Sequence, residues 1–90
     1  METLIEEQHN IINAQSAQVE ELLSDPEISE EKRELLEEAA ELLKQAQEAL
    51  DAAKAARDEG NEEEAIAKLA QSVHFSSQAA LKIAQALELD

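Results

Sequence analysis

Two histidines are the side chains in this sequence that come closest to metal-binding chemistry. His9 follows Glu6 by three residues, the i, i+3 spacing found in carboxylate-bridged di-iron helical bundles. That chemistry needs a second such pair, and the residue three before His74 is Gln71. Glu6, His9 and His74 could form a two-histidine site, but ordinary hydrogen bonding accounts for both histidines. The sequence therefore predicts no metal site and no cofactor.

The residue types for catalysis are also missing. The chain has no Cys, no glycine-rich phosphate loop, and no Ser–His–acid set with an orienting residue. Its 90 residues include 22 Asp and Glu against 7 Lys and Arg, a net charge of −15 that phosphate backbones and anionic membranes repel. No apolar run approaches a membrane span, and the first residues are acidic where a signal peptide is basic. We expect a soluble, non-enzymatic chain that binds neither nucleic acid nor membrane and carries no targeting signal.

Three long periodic segments, separated by two short breaks, predict the elements that position these side chains. Thr3 and Glu6 have capping-box spacing at the start of the first segment. Pro26 interrupts the helical pattern in the first break, and Gly60 with Asn61 forms the second, where Gly closes one helix and Asn caps the next. The pattern predicts helices at about 3–24, 29–59 and 62–88. Short connections make this an all-α, up-down-up three-helix bundle, with residues 1–90 as one domain.

Apolar residues at alternating spacings of three and four predict one buried row per helix. The first row is Ile5, Gln8, Ile12, Gln15, Val19 and Leu22. The second is Leu35, Ala39, Leu42, Ala46, Ala49, Ala53 and Ala56, flanked by Leu36, Leu43 and Leu50. The third is Ile66, Leu69, Val73, Ser76, Ala80, Ile83 and Leu87.

The stretch from Asp25 to Ala39, DPEISEEKRELLEEA, places a cap ahead of strong helix formers that fill every exposed position. In this respect the chain resembles computationally designed helical bundles, which implies a designed origin. The turn from Gly60 to Ile66, GNEEEAI, is similar to the inter-helix turn of tetratricopeptide repeats, as is the closing ALELD. The chain lacks the aromatic helix contacts and the 34-residue period of those repeats, so the second resemblance implies shared turn chemistry alone.

The distribution of charge indicates an interaction surface. No charged residue occurs from Gln8 to Val19 or from Leu69 to Leu81, counting His as neutral, and we call these two stretches the uncharged belt. Both lie mid-helix, and the first and third helices run parallel, so we expect them at the same height. Charge depletion with retained polar and aromatic residues is typical of an interface. The predicted interface residues are Ile11, Asn13, Ala17, Gln71, His74, Phe75, Gln78 and Leu81. The alternative is that these are tolerated surface residues of a monomer.

Polar residues within the predicted core rows indicate a second feature. A buried amide without partners costs about 1 to 3 kcal/mol, so each should be paired. We predict a buried hydrogen-bonded network of Gln8, Gln15, Ser72, Ser76 and Ser77. The alternative is a slight rotation of the bundle that lets the glutamine tips reach water.

These observations favour a self-assembly module, a homo-oligomer that pairs through the uncharged belt while the second helix faces water. A thin, alanine-rich core is consistent with a need for a further subunit. The first alternative is a binder of another protein or helical peptide, with Ile11, His74 and Phe75 as anchors. The second, from another class, is a small-molecule pocket lined by Gln8, Gln15, Ser76 and His74.

Overall fold

Strong helix formers fill three segments of the chain, and each segment is helical in the computed structural model, which describes residues 1–89. The helices are α1 (Glu2–Leu23), α2 (Glu30–Asp58) and α3 (Glu62–Glu88). They pack side by side into a body of 48 × 16 × 15 Å. The predicted all-α three-helix bundle is therefore confirmed, with helix ends within two residues of the predicted ones.

Local chemistry explains most of the helix ends. The Ser29 hydroxyl accepts from the Lys32 N–H at 3.2 Å and caps α2, and the Asn61 side chain accepts from the Glu64 N–H at 3.2 Å and caps α3. Gly60 has a φ of +78°, the left-handed conformation that ends a helix. The predicted capping box at Thr3 is wrong. Helix α1 begins one residue earlier, where the Ile5 N–H donates to the Met1 carbonyl and no side chain caps the helix.

The buried core follows the predicted rows on α1 and α2 but not on α3. In α1 the buried residues are Ile5, Gln8, Ile12 and Val19, and in α2 they include Leu36, Ala39, Leu43, Ala46, Leu50 and Ala53. The buried row of α3 is Ala65, Leu69, Ser72, Ser76, Ala79, Ile83 and Ala86. The predicted core positions Ile66, Val73, Ala80 and Leu87 are exposed, so the core face of α3 is rotated towards its small residues.

Small side chains account for this rotation. Ala46 and Ala53 of α2 and Ala65 and Ala79 of α3 are fully buried, and they let these two helices approach closely along their length. Helix α1 packs less extensively against both, and its contacts with α3 are the sparsest in the bundle. The bulky residues that α3 does not turn towards α2 are left beside α1.

Two ion pairs fix the relative placement of the ends. Arg57 near the end of α2 pairs with Glu2 at the start of α1, and Lys82 of α3 pairs with Glu38 of α2 at 2.9 Å. The start of α1 therefore lies at the same end of the bundle as the turn that leads into α3, and α1 and α3 run parallel. Within residues 1–89, no helix has the length and hydrophobicity needed to cross a membrane.

Candidate docking face between α1 and α3

A buried polar layer joins the three helices at mid-height. The Gln8 side-chain amide of α1 donates to the hydroxyls of Ser72 at 3.2 Å and Ser76 at 3.0 Å on α3. The Ser72 hydroxyl donates in turn to the Ala46 carbonyl of α2 at 2.8 Å, and the Ser76 hydroxyl donates to the Val73 carbonyl at 3.1 Å. Gln8, Ser72 and Ser76 are all buried. Their side-chain donors therefore bond one another and the backbone.

The remaining two members of the predicted network differ in position. Gln15 is partly buried, and its amide N–H donates to the Ser76 carbonyl at 3.1 Å. Its side-chain oxygen is buried and has no partner within residues 1–89. Ser77 is exposed and lies outside the network. One residue further along a helix turns the side chain by about 100°, which carries Ser77 away from the face that holds Ser76.

Above this polar layer lies an open groove between α1 and α3, with a volume of 520 Å³. We call it the α1/α3 groove; its lining residues are Leu4, Glu7, Gln8, Ile11, Ile66, Leu69, Ala70 and Val73. Four large apolar side chains in it are substantially exposed, at 56% for Leu4, 48% for Ile11, 58% for Ile66 and 46% for Val73. A contiguous row of this kind is a candidate interaction surface, whereas single exposed apolar residues are normal on a protein surface.

The charges around the groove are acidic. Glu7 lines it, and α1 contains five Glu but no Lys or Arg. The two lysines of α3 both lie on the side facing α2: Lys82 pairs with Glu38, and Lys68 lines a groove with residues of α2. Among the described residues, the lining of the α1/α3 groove therefore contains one carboxylate, that of Glu7, and no basic side chain.

The predicted interface residues do not form one face. Ile11 lines the α1/α3 groove, but Asn13 lines a separate groove of 390 Å³ between α1 and α2. Gln71 and the partly buried Phe75 line a third, between α2 and α3. The other predicted residues, Ala17, His74, Gln78 and Leu81, are exposed. The uncharged belt passes around the whole circumference of α1 and α3, because stretches of 12 and 13 residues cover every direction of a helix.

The two histidines lie in different surroundings. His9 lines a groove with Glu6, Asn10 and Lys54, between α1 and α2, and its buried Nδ1 has no hydrogen-bond partner among residues 1–89. His74 is exposed on α3, and its ring centroid lies 6.1 Å from that of Phe75. Within the described part of the chain, no group of three or more His, Cys, Asp or Glu is placed to hold a metal ion.

Sequence reasoning missed three of the four large groove residues. Ile66 and Val73 belong to the predicted core row of α3 because they are branched apolar residues at helical spacing, and Leu4 belongs to no predicted row. A signal was present in α3, where Ala65, Ser72 and Ala79 form a second row of small residues one position before Ile66, Val73 and Ala80. Two adjacent rows of apolar or small residues on one helix predict contacts on two sides. In this bundle the small row is buried, and the row with Ile66 and Val73 stays exposed.

Comparisons with protein-family models, with curated proteins and with solved structures gave no match to this chain.

Proposed function

We propose that this chain is a non-catalytic interaction module that assembles with another polypeptide through the face between α1 and α3. The observation that carries the proposal is the exposed apolar row of Leu4, Ile11, Ile66 and Val73, which lies between two parallel helices. Removing apolar area from water is favourable by about 25 cal/mol per Å², and the part of this gain that exceeds the entropy cost of binding drives association. The deliberate caps and helix-forming surface support a designed origin for the module.

A second copy of the chain is the first candidate occupant. The absence of charge at mid-height of both α1 and α3 supports it, because the uncharged belts of two copies can meet there without burying a charged group, although Glu7 lines the groove. Four helices, two from each copy, would then pack at the interface. Closed two-fold pairing would bury both apolar rows and leave α2 of each copy towards solvent.

Light scattering with size exclusion measures this self-association. A homo-oligomer gives a mass that is a multiple of 9.9 kDa. Ala70 lines the groove and is exposed, so Ala70→Glu places a charge in the interface without disturbing the core, and we expect it to shift the mass to one chain. Ala55→Glu on the exposed side of α2 is the matched control and should leave the oligomer intact. An oligomer that withstands Ala70→Glu would assign self-association to another face.

Another protein is the second candidate occupant, and the acidic ends of the face favour it. Glu7 at the groove and the acidic first turn of α3 are negative, whereas Glu2 is paired with Arg57 of α2. These carboxylates oppose the approach of an identical chain and attract a basic one. If the chain remains a monomer of 9.9 kDa, the result favours another protein as the occupant of the face.

A further inference from the structure

We infer that the occupant of the α1/α3 groove is an amphipathic helix of another protein, with an apolar ridge flanked by basic residues. This inference rests on the proposed function and names the partner of the same face. It follows from three features of the groove: its shape, the spacing of its apolar residues, and the sign of the charge at its ends.

The shape of the groove suits one helix. Leu4 and Ile11 lie seven residues apart on α1, and Ile66 and Val73 lie seven residues apart on α3. Seven residues are two helical turns, about 10 Å, so the two pairs form the walls of a channel two turns long. An amphipathic helix enters such a groove with apolar side chains at i, i+4 and i+7. The partner therefore needs a short apolar ridge of about three positions.

The charges select between the possible occupants. Carboxylates stand at both ends: Glu7 lines the groove near the acidic first turn of α3, and Glu21 and Glu88 lie in the last turns of α1 and α3. Glu2, Glu6 and Glu20 lie towards α2 instead. Between them the belt is uncharged, and the lysines of α3 lie towards α2. A second copy, whether parallel or antiparallel, would bring acidic ends against acidic ends. A helix with Lys or Arg in its first and last turns would meet carboxylates at both ends and an apolar wall between them.

Gln8 is the polar, uncharged side chain in the lining of the groove, and its hydrogen bonds decide which partner side chains can cover it. The Gln8 amide lines the groove while donating to Ser72 and Ser76. Because both side-chain N–H groups of Gln8 are already engaged, an apolar ridge can cover these N–H groups without breaking a hydrogen bond. Specificity then comes from the ends of the groove, where the carboxylates lie, and affinity from the apolar walls.

The test uses the full chain and two labelled synthetic peptides of about 18 residues, which span about 27 Å as helices. Both carry Leu at i, i+4 and i+7 in a background of Ala and Gln. One has Lys in its first and last turns, and the other has Gln at those positions. Fluorescence anisotropy at about 50 mM NaCl should show the Lys-flanked peptide binding at least about tenfold more tightly, and this advantage should vanish near 500 mM NaCl because salt screens exposed charges.

Variants of the chain separate the groove from its charges. Ala70→Glu in the groove wall should reduce the binding of both peptides, whereas Ala55→Glu on α2 should not. Glu7→Gln should weaken the Lys-flanked peptide about threefold, the size of one exposed ion pair, and leave the Gln-flanked peptide unchanged. Glu34→Gln on the exposed side of α2 changes the net charge equally and should have a smaller effect.

The outcomes distinguish this inference from the proposed function. Equal binding of the two peptides without salt dependence would overturn the inference that the partner is basic, and it would support the proposed docking face. A dimer that Ala70→Glu dissociates, together with no peptide binding, would identify a second copy as the occupant and also overturn the inference. A solitary chain that binds neither peptide would overturn the docking function itself.

Discussion

At the scale of single residues, the buried polar layer around Gln8 aligns α1 with α3 through hydrogen bonds and takes the place of apolar packing. We expect Gln8→Leu to change the free energy of unfolding by no more than about 1 kcal/mol, since Leu fills a similar volume and the net contribution of a typical hydrogen bond is about 1 kcal/mol. Ser72 and Ser76 keep donating to the Ala46 and Val73 carbonyls in this variant. Urea unfolding followed by circular dichroism measures the effect.

Gln8→Ala is the comparison for that prediction. It removes the same hydrogen bonds and also leaves a cavity between α1 and α3, so we expect a loss of about 2 kcal/mol or more. Equal, large losses in Gln8→Leu and Gln8→Ala would contradict this account, because they would show that the hydrogen bonds themselves contribute most of the stability.

The residue scale also shows how far a sequence pattern can be taken. Gln8, Gln15 and Ser76 fell on predicted core rows, and a buried amide between neighbouring helices has few partners other than small hydroxyls, so the pairing with serine could be anticipated. The exclusion of Ser77 could not, because it depends on the rotation of α3 by less than one residue. The separate surroundings of His9 and His74 depend on the same rotation and on the side of α1 that faces α2.

At the scale of elements, the turn between α2 and α3 depends on one backbone conformation. Gly60 has a φ of +78°, the Gly60 N–H donates to the Arg57 carbonyl at 3.0 Å, and the Asn61 N–H donates to the Ala56 carbonyl at 2.9 Å. A Cβ added at Gly60 would meet no atom within 4 Å, so crowding is not the obstacle. We expect Gly60→Ala to cost about 1 to 2 kcal/mol of unfolding free energy through its left-handed backbone.

Gly60→Asn is the control for that turn, because Asn adopts the left-handed conformation more readily than Ala. Denaturant unfolding of the two variants should place Gly60→Asn between the parent chain and Gly60→Ala. Equal stability of Gly60→Ala and the parent chain would contradict this account. It would mean that the turn does not need the left-handed conformation at residue 60.

The elements themselves could be predicted because propensity, caps and breaks agree. Pro26, Gly60 and the polar caps fix where α2 and α3 begin and end, and they act locally. The face that α3 buries is a different kind of property. Ile66 and Val73 offer more apolar area, yet the small row with Ala65 and Ala79 is buried because it permits close approach to α2. Periodicity identifies apolar rows, but the choice between adjacent rows is made by packing.

At the scale of the whole molecule, the excess of carboxylates has opposite effects on folding and on the proposed docking. Carboxylates crowd both ends of the bundle, and few are paired: the ion pairs of the described residues involve Glu2, Glu38 and Asp58. The remaining repulsion acts in the folded chain and is relieved when the chain expands. If the proposed docking occurs, the same carboxylates attract the basic partner. Salt therefore acts on folding and on docking with opposite signs.

The effect of salt on folding follows from the net charge of −15. Raising NaCl from about 50 mM to about 500 mM shortens the screening length from roughly 14 Å to roughly 4 Å, so repulsion between carboxylates at each end should weaken. We expect the melting temperature to rise, by about 4 to 8 °C for each kcal/mol of added stability in a domain of this size. Thermal melts followed by circular dichroism measure this rise.

A Glu34→Gln and Glu41→Gln double variant, which removes two exposed charges, should show a smaller rise in melting temperature. A melting temperature that falls with salt would mean that the three ion pairs outweigh the repulsion. In the expected case, salt that stabilises the bundle while releasing the Lys-flanked peptide excludes unfolding as the cause of release.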